Sequence, residues 1–135
     1  MSEVTFRVFR GTADTGGYRE YRVPLSEGMV VLDAIHHIQA NQAGDLAVRW
    51  NCKAGKCGSC SAEVNGKPRL MCMTRMDMLE LDKPITVEPI RRFPLIKDLV
   101  TDVSGNFQIN KRVRPFKPKP READGTYRMM QYDID

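Results

Sequence analysis

The chain has 135 residues, of which 41% are hydrophobic and 28% are charged, as in a globular protein with one domain core. No stretch approaches the ~20 apolar residues that a membrane span requires, and the N-terminus lacks the apolar core of a secretory signal. The net charge of +4 is spread along the chain without a recognisable nucleic-acid-binding motif, so nucleic acid is not an expected partner.

The first half of the chain predicts a hairpin followed by a helix. Residues 3–10 alternate between polar and apolar side chains and predict a strand. A turn-rich stretch leads to a second predicted strand over 18–23. Apolar residues then recur at i, i+1, i+4 and i+7 and predict a helix over about 29–41, its apolar positions being Val31, Leu32, Ile35 and Ile38.

The four cysteines of the chain are spaced C-x4-C-x2-C-x11-C, and they are Cys52, Cys57, Cys60 and Cys72. This is the plant-type spacing for a 2Fe-2S cluster. Four neighbouring thiolates carry negative charge that a fold tolerates only when a metal neutralises it. The spacing therefore predicts a metal cofactor, and a 2Fe-2S cofactor predicts electron transfer.

Three of these cysteines lie in a segment without periodicity, Trp50 to Cys60, which we call the cysteine loop. Its glycines, Gly55 and Gly58, allow the backbone to approach the sulfurs closely and to turn N–H groups onto them. Ser59 offers a hydroxyl donor in addition.

Three basic residues accompany the cysteine loop, namely Arg49, Lys53 and Lys56. A positive charge beside a cluster favours the reduced form, because accepting an electron makes the cluster more negative. At ~8 Å and an effective dielectric constant of ~40, one such charge contributes about 1 kcal/mol, or roughly 45 mV. We expect a midpoint potential above the roughly −400 mV of plant-type ferredoxins.

The fourth cysteine returns to the loop through a predicted hairpin. Asn65-Gly66 is a strong signal for a two-residue turn. With this turn, Val64 faces Lys67 and Cys60 faces Met71, so that Cys72 lies one residue from the position opposite Cys60. Pro68 must then lie on an edge or at a non-bonded position, because it has no N–H to donate.

The remainder of the chain predicts one more strand and an extension. Residues 85–89 form the strand, and the domain boundary is expected near Phe93-Pro94. Beyond it we expect a short helix over 97–103 and an extended, solvated segment over 111–121. Together the elements predict an α+β fold with a mixed sheet packed on one helix.

Histidines and methionines provide weaker candidates for metal binding. His36 and His37 are adjacent on the predicted helix and therefore point in different directions, so we interpret them as core-edge or surface residues. We interpret four methionines after the hairpin as packing around the cluster rather than as soft-metal ligands, and they are Met71, Met73, Met76 and Met78.

Several motifs together resemble the iron–sulfur subunit of succinate dehydrogenase and fumarate reductase. They are Val31-Leu-Asp-Ala-Ile, Arg49-Trp-Asn-Cys52 through Cys60-Ser-Ala, Leu70-Met-Cys72, Pro94-Leu-Ile-Lys-Asp98-Leu-Val-Thr-Asp102 and Arg114-Pro-Phe116. The last two stretches are absent from plain ferredoxins, and the match covers nearly the whole chain.

The resemblance implies a 2Fe-2S ferredoxin-type β-grasp domain over residues 1–93 and an extension over 94–135 toward a second domain. It also implies that Cys52, Cys57, Cys60 and Cys72 ligate the 2Fe-2S cluster. Members of the family hold a 4Fe-4S and a 3Fe-4S cluster in their helical second domain. No cysteine follows Cys72, so this sequence contains no ligands for those two clusters.

The function implied by the resemblance is one-electron transfer in a succinate:quinone oxidoreductase of the tricarboxylic acid cycle and respiratory chain. A flavoprotein (FAD) subunit would supply the electrons and carry out the catalysis, so no catalytic residue is expected here. Membrane-anchor subunits would hold the chain on the cytoplasmic face of the plasma membrane.

Two other functions are compatible with the cysteines. A free-standing 2Fe-2S ferredoxin would use the same loop, although soluble plant-type carriers tend to be acidic. A zinc-stabilised binding module would also use four cysteines, but structural zinc sites usually consist of two short cysteine pairs. The single C-x2-C in a glycine-rich loop favours the iron–sulfur interpretation.

Overall fold

The computed structural model of the chain describes residues 2–115 and 121–126. Its strands and helices are β1 (Glu3–Arg10), β2 (Gly17–Pro24), α1 (Val31–Asn41), β3 (Ser61–Val64), β4 (Lys67–Leu70), β5 (Ile85–Glu88), β6 (Leu95–Lys97), β7 (Val100–Thr101) and α2 (Ser104–Asn110). Two short 3-10 helices, Met71–Met73 and Met76–Met78, lie between β4 and β5. Within the described ranges, no helix has the length and apolar character needed to cross a membrane.

Five strands form one mixed sheet in the order β2-β1-β5-β3-β4. β1 pairs with β5 in parallel, and the other neighbours are antiparallel. The alternation predicted for β1 is observed, since Val4, Phe6 and Val8 are buried and the residues between them are not. The predicted α+β fold with a β-grasp sheet is confirmed.

Helix α1 covers the buried face of the sheet. Five of its apolar residues are buried and join those of β1 and β5 in one core, and they are Val31, Leu32, Ala34, Ile35 and Ile38. The carboxylate of Asp33 accepts a hydrogen bond from the N–H of Val30 at 3.1 Å. This bond satisfies one of the donors that a helix start leaves unpaired.

The hairpin register predicted from Asn65-Gly66 is also confirmed. Val64 pairs with Lys67 and Ser61 pairs with Leu70. Asn65 has a φ of 51° and Gly66 a φ of 81°, as the tight turn requires. Pro68 lies on β4, which is an edge strand of the sheet.

The prediction of a short helix over residues 97–103 is wrong. The chain forms the two-stranded hairpin β6–β7 there, and the helix α2 begins only at Ser104. The reason is Asp98, which takes a left-handed backbone conformation (φ 53°) and is fully buried with its carboxylate bound to distant backbone groups. A helix would point that carboxylate away from these partners.

The chain divides into two compact units, the first spanning Met1–Val103 and the second beginning at Ser104. The hairpin β6–β7 therefore belongs with the first unit, although it lies beyond the boundary expected near Pro94. In the second unit, residues 111–115 are exposed, and part of the segment predicted to be extended lies outside the described residues.

Candidate metal centre

The fold brings the end of the cysteine loop and the end of the β3–β4 hairpin together. The cysteine loop runs without regular structure from Trp50 to Cys60, and β3 begins at the next residue, Ser61. Cys72 lies in the first 3-10 helix, directly after β4. The β3–β4 hairpin therefore returns Cys72 to the end of the loop.

The sulfur of Cys52 is surrounded by backbone donors. The N–H groups of Ala54, Lys56 and Cys57 all donate to Cys52 Sγ, with N···S distances of 3.3, 3.2 and 3.4 Å. The loop can curl around the sulfur because Gly55 has a φ of 70°, a conformation that glycine adopts without cost. One cysteine sulfur therefore receives three backbone N–H groups from the loop that follows it.

Cys57 is exposed and receives two donors from Ser59. The Ser59 hydroxyl lies 3.0 Å from Cys57 Sγ, and the Ser59 N–H lies 3.5 Å from it. The hydroxyl is the main reason that the pKa of Cys57 falls to about 6, with the backbone bonds of the loop adding to it. The hydroxyl donor predicted from the sequence thus lies at a cysteine sulfur.

The other two cysteines are buried and lie against each other. The N–H of Cys72 donates to Cys60 Sγ at 3.4 Å, and the N–H of Met71 donates to the carbonyl of Cys60 at 3.3 Å. Burial is the main reason that the pKa of Cys60 is raised, although the N–H bond from Cys72 acts in the opposite direction. A metal ion would offset this effect at Cys60, because a desolvated thiolate without a cation is unfavourable.

The cysteines thus form two pairs, Cys52 with Cys57 and Cys60 with Cys72. In the described parts of the chain, no three His, Cys, Asp or Glu side chains converge on one point at metal-binding distance. The chemistry of the donor set nevertheless fits an iron–sulfur cluster. The sulfurs receive five backbone N–H groups and one hydroxyl, and the cysteine loop contains no carboxylate or imidazole.

Two of the three predicted basic residues are held in place by neighbours. The ammonium of Lys53 lies over the ring of Trp50 at 4.7 Å, and the guanidinium of Arg49 donates to the carbonyl of Thr101 at 2.8 Å. The ring of His36 packs edge-on against the same indole, with ring centroids 4.7 Å apart. The sequence pattern offers no signal for these contacts.

His36 and His37 are both half-buried on α1. Burial lowers the pKa of His36, and the charge of Lys53 lowers it further. Of the four methionines, Met71 and Met76 are buried in the core, whereas Met73 and Met78 are exposed. The side chain of Met73 packs closely against Gly55. A Cβ added to Gly55 would lie only 2.9 Å from the Cγ of Met73.

Comparison with known families gives a match to the 2Fe-2S iron-sulfur cluster binding domain over residues 5–108. The chain belongs to this family. Its cofactor is a 2Fe-2S cluster, in agreement with the sulfur-rich site described above.

Individual relatives are similar over most of the chain. The fumarate reductase iron-sulfur subunit of Mycobacterium tuberculosis is 37% identical over 121 residues, which are 87% of this chain and 49% of the relative. The succinate dehydrogenase iron-sulfur subunit of Bacillus subtilis is 36% identical over 124 residues, covering 86% and 47%.

A solved structure, the Mycobacterium smegmatis Sdh1 complex in the apo form, contains a similar chain. It has a TM-score of 0.85 and 53% identity, and the match covers 98% of this chain and 55% of that one. The chain therefore spans about half the length of the curated relatives and of the structure that it matches.

Proposed function

We propose that this chain is the one-electron carrier that receives electrons from the flavoprotein subunit of a succinate:quinone oxidoreductase. We further propose that Cys52, Cys57, Cys60 and Cys72 ligate its 2Fe-2S cluster. The observation that carries the proposal is the set of backbone and hydroxyl donors directed at cysteine sulfurs, in a chain similar to iron–sulfur subunits of fumarate reductase and succinate dehydrogenase.

The 2Fe-2S cluster, when bound, accepts and releases a single electron. The chain's own residues determine how readily that charge is accommodated. The amides around Cys52 and the hydroxyl of Ser59 would donate to sulfur in both redox states, and their bonds would be stronger when the sulfur is more negative. They are already in place, so little reorganisation is needed during transfer.

The site is asymmetric in its exposure. Cys60 and Cys72 are 3% and 7% exposed, whereas Cys57 lies on the surface. The buried pair shields one side of the site from water. The exposed side, bordered by the basic residues of the loop, is the side open to an electron-transfer partner.

Catalysis and membrane attachment are assigned to other subunits in this proposal. Succinate oxidation, or fumarate reduction, belongs to the flavoprotein (FAD) subunit. Membrane-anchor subunits hold the complex at the membrane, with this chain peripheral on its cytoplasmic face. The names of the relatives, which are iron–sulfur subunits of such enzymes, support this assignment.

The domain assignment is part of the proposal. Residues 1–93 form the 2Fe-2S domain, and residues 94–135 connect it toward the second half found in the relatives. Hairpin β6–β7 packs within the first unit and forms the start of this connection.

The test combines the purified chain with the flavoprotein subunit and succinate under anaerobic conditions. We expect reduction of the cluster, seen as bleaching of its visible absorption, only when the flavoprotein is present. The two proteins should also co-elute in size-exclusion chromatography. Succinate turnover by the chain alone would contradict the proposal, and reduction without stable association would favour a free-standing ferredoxin.

A further inference from the structure

The most deeply buried charged group in the described residues lies outside the cysteine loop. The side chain of Asp98 is 0% exposed. Its Oδ1 accepts the N–H of Gly11 at 2.6 Å, and its Oδ2 accepts the N–H of Ala47 at 2.8 Å. Nε of Arg10 lies 3.2 Å from Oδ1. A buried carboxylate is tolerated when it is both paired and hydrogen-bonded, as this one is.

Arg10 connects Asp98 to Asp45, a second residue close to the start of the cysteine loop. Its Nη2 lies 2.9 Å from Asp45 Oδ1, and its Nη1 donates to the hydroxyl of Tyr21 at 2.7 Å. Burial disfavours the charge of Arg10, but its bonds to Asp45 and Tyr21 outweigh this and, with the attraction of Asp98, raise its pKa above the usual range. Arg10 therefore remains a cation whenever the fold is intact.

Two more bonds join the same segments. The N–H of Leu99 donates to the carbonyl of Ala47 at 3.3 Å, and Arg49 donates to the carbonyl of Thr101. Asp45, Ala47 and Arg49, three alternate residues that directly precede the cysteine loop, are thus all linked to the segment around Asp98, in the case of Asp45 through Arg10. This segment begins more than twenty residues after the last cysteine.

We propose that Asp98 is a positioning residue for the cysteine loop, fixing residues 45–49 and thereby the approach of Cys52 to the cluster. When the residues before the cysteine loop are fixed, the loop has fewer conformations in the absence of the cluster. Binding the cluster therefore costs less conformational entropy. The hairpin β6–β7 would thus determine how tightly the cluster is bound and the local environment of the reduced cluster. This inference rests on the proposed ligand role of the cysteines.

The test compares the full chain, reconstituted with iron and sulfide, as wild type and as Asp98→Asn. The asparagine has the same shape but lacks the charge that pairs with Arg10. In the presence of an iron chelator, we expect Asp98→Asn to lose its visible absorption about tenfold faster than wild type. This ratio corresponds to the loss of one hydrogen bond to a charged group. We also expect altered g-values in the electron paramagnetic resonance spectrum of the reduced protein.

The matched control is Asp82→Asn, which removes an equal charge from an exposed position between the second 3-10 helix and β5. The control should lose its cluster at the wild-type rate. If Asp98→Asn lowers the urea midpoint but leaves the rate of cluster loss and the g-values unchanged, Asp98 is merely structural and the proposal is overturned. Failure of the wild-type chain to form a cluster would instead count against the proposed function.

A further pair of variants, Arg49→Gln and its control Lys56→Gln, tests the proposal if Asp98→Asn does not fold. Arg49→Gln removes the bond to Thr101 from an exposed side chain, and Lys56→Gln removes an equal charge from within the loop. We expect faster cluster loss in Arg49→Gln than in Lys56→Gln, together with faster hydrogen exchange at the amide of Ala47. Equal rates in the two variants would overturn the proposal.

Discussion

The backbone N–H of Cys72 donates to the sulfur of Cys60, although the two residues are twelve positions apart in the chain. The bond forms because the β3–β4 hairpin pairs Ser61 with Leu70. Cys60 precedes this pair on one strand and Met71-Cys72 follows it on the other, so the two cysteines are close together. One short turn thus joins the last cysteine to the loop that contains the other three.

Removing the last cysteine should abolish the cluster. Cys72→Ala deletes one of the four proposed ligands and leaves the buried Cys60 without its partner, so we expect no cluster-derived visible absorption after reconstitution. The control is Met73→Leu, an exposed apolar replacement of similar volume at the next residue, which should retain the absorption. A stable 2Fe-2S spectrum in Cys72→Ala would contradict the ligand assignment.

Ser59→Ala should lower the midpoint potential of the cluster. The Ser59 hydroxyl donates to Cys57 Sγ, and a donor to sulfur favours the more negative, reduced form. We expect a decrease of tens of millivolts in a spectroelectrochemical titration, where ~59 mV corresponds to a tenfold change in the ratio of reduced to oxidised protein.

Ser61→Ala is the matched control, because the Ser61 hydroxyl donates to the carbonyl of Gly58 rather than to sulfur. Its potential should remain at the wild-type value. Equal potentials in Ser59→Ala and in wild type would show that the hydroxyl does not act on the cluster.

Gly58→Ala should destabilise the cysteine loop through its backbone. Gly58 has a φ of 74° and open space around its missing Cβ, so the substitution strains the conformation without a clash. We expect a loss of about 1 kcal/mol in the free energy of unfolding, measured by urea denaturation.

Gly44→Ala provides the comparison for this effect. Gly44 does not have a left-handed φ, and the nearest atom to its added Cβ, the carbonyl oxygen of Gln39, lies 3.9 Å away. This variant should be as stable as wild type or slightly more stable. Equal destabilisation of the two variants would refute the backbone explanation.

Arg91→Ala should destabilise the sheet more than a typical surface substitution. Glu63 and Glu88 face each other on β3 and β5, and they are 5% and 8% exposed. Arg91 pairs with both carboxylates, at 3.4 Å and 3.0 Å. Without it, two buried like charges lie side by side, so the urea midpoint should fall.

Arg92→Ala removes an equal charge from the next residue, which is also exposed. Its urea midpoint should be close to that of wild type. Equal urea midpoints in Arg91→Ala and Arg92→Ala would contradict the stabilising role of the two ion pairs of Arg91.

The local features of the fold could be predicted from the sequence. The turn at Asn65-Gly66 fixes its register through the backbone conformation of two residues, and α1 is encoded by the periodicity of its apolar side chains. The spacing of the cysteines indicates the type of cofactor because each ligand must lie a set distance along the loop. In each case the residues that decide the structure are neighbours in sequence.

The contacts of Asp98 could not be predicted in this way. Its carboxylate binds the N–H groups of Gly11 and Ala47, which lie 87 and 51 residues away. A helix over 97–103 agrees with the local sequence, but burial and pairing of one carboxylate outweigh that local preference. The bond of Arg49 to Thr101 depends on the same hairpin and is missed for the same reason.

The most direct test of the account is electron paramagnetic resonance of the full chain, reconstituted anaerobically with iron and sulfide and then reduced with dithionite. We predict a rhombic signal that integrates to about one unpaired electron per chain, with iron and sulfide present in equal amounts. A colourless protein that contains zinc and gives no such signal would contradict the central claim that these four cysteines hold a 2Fe-2S cluster.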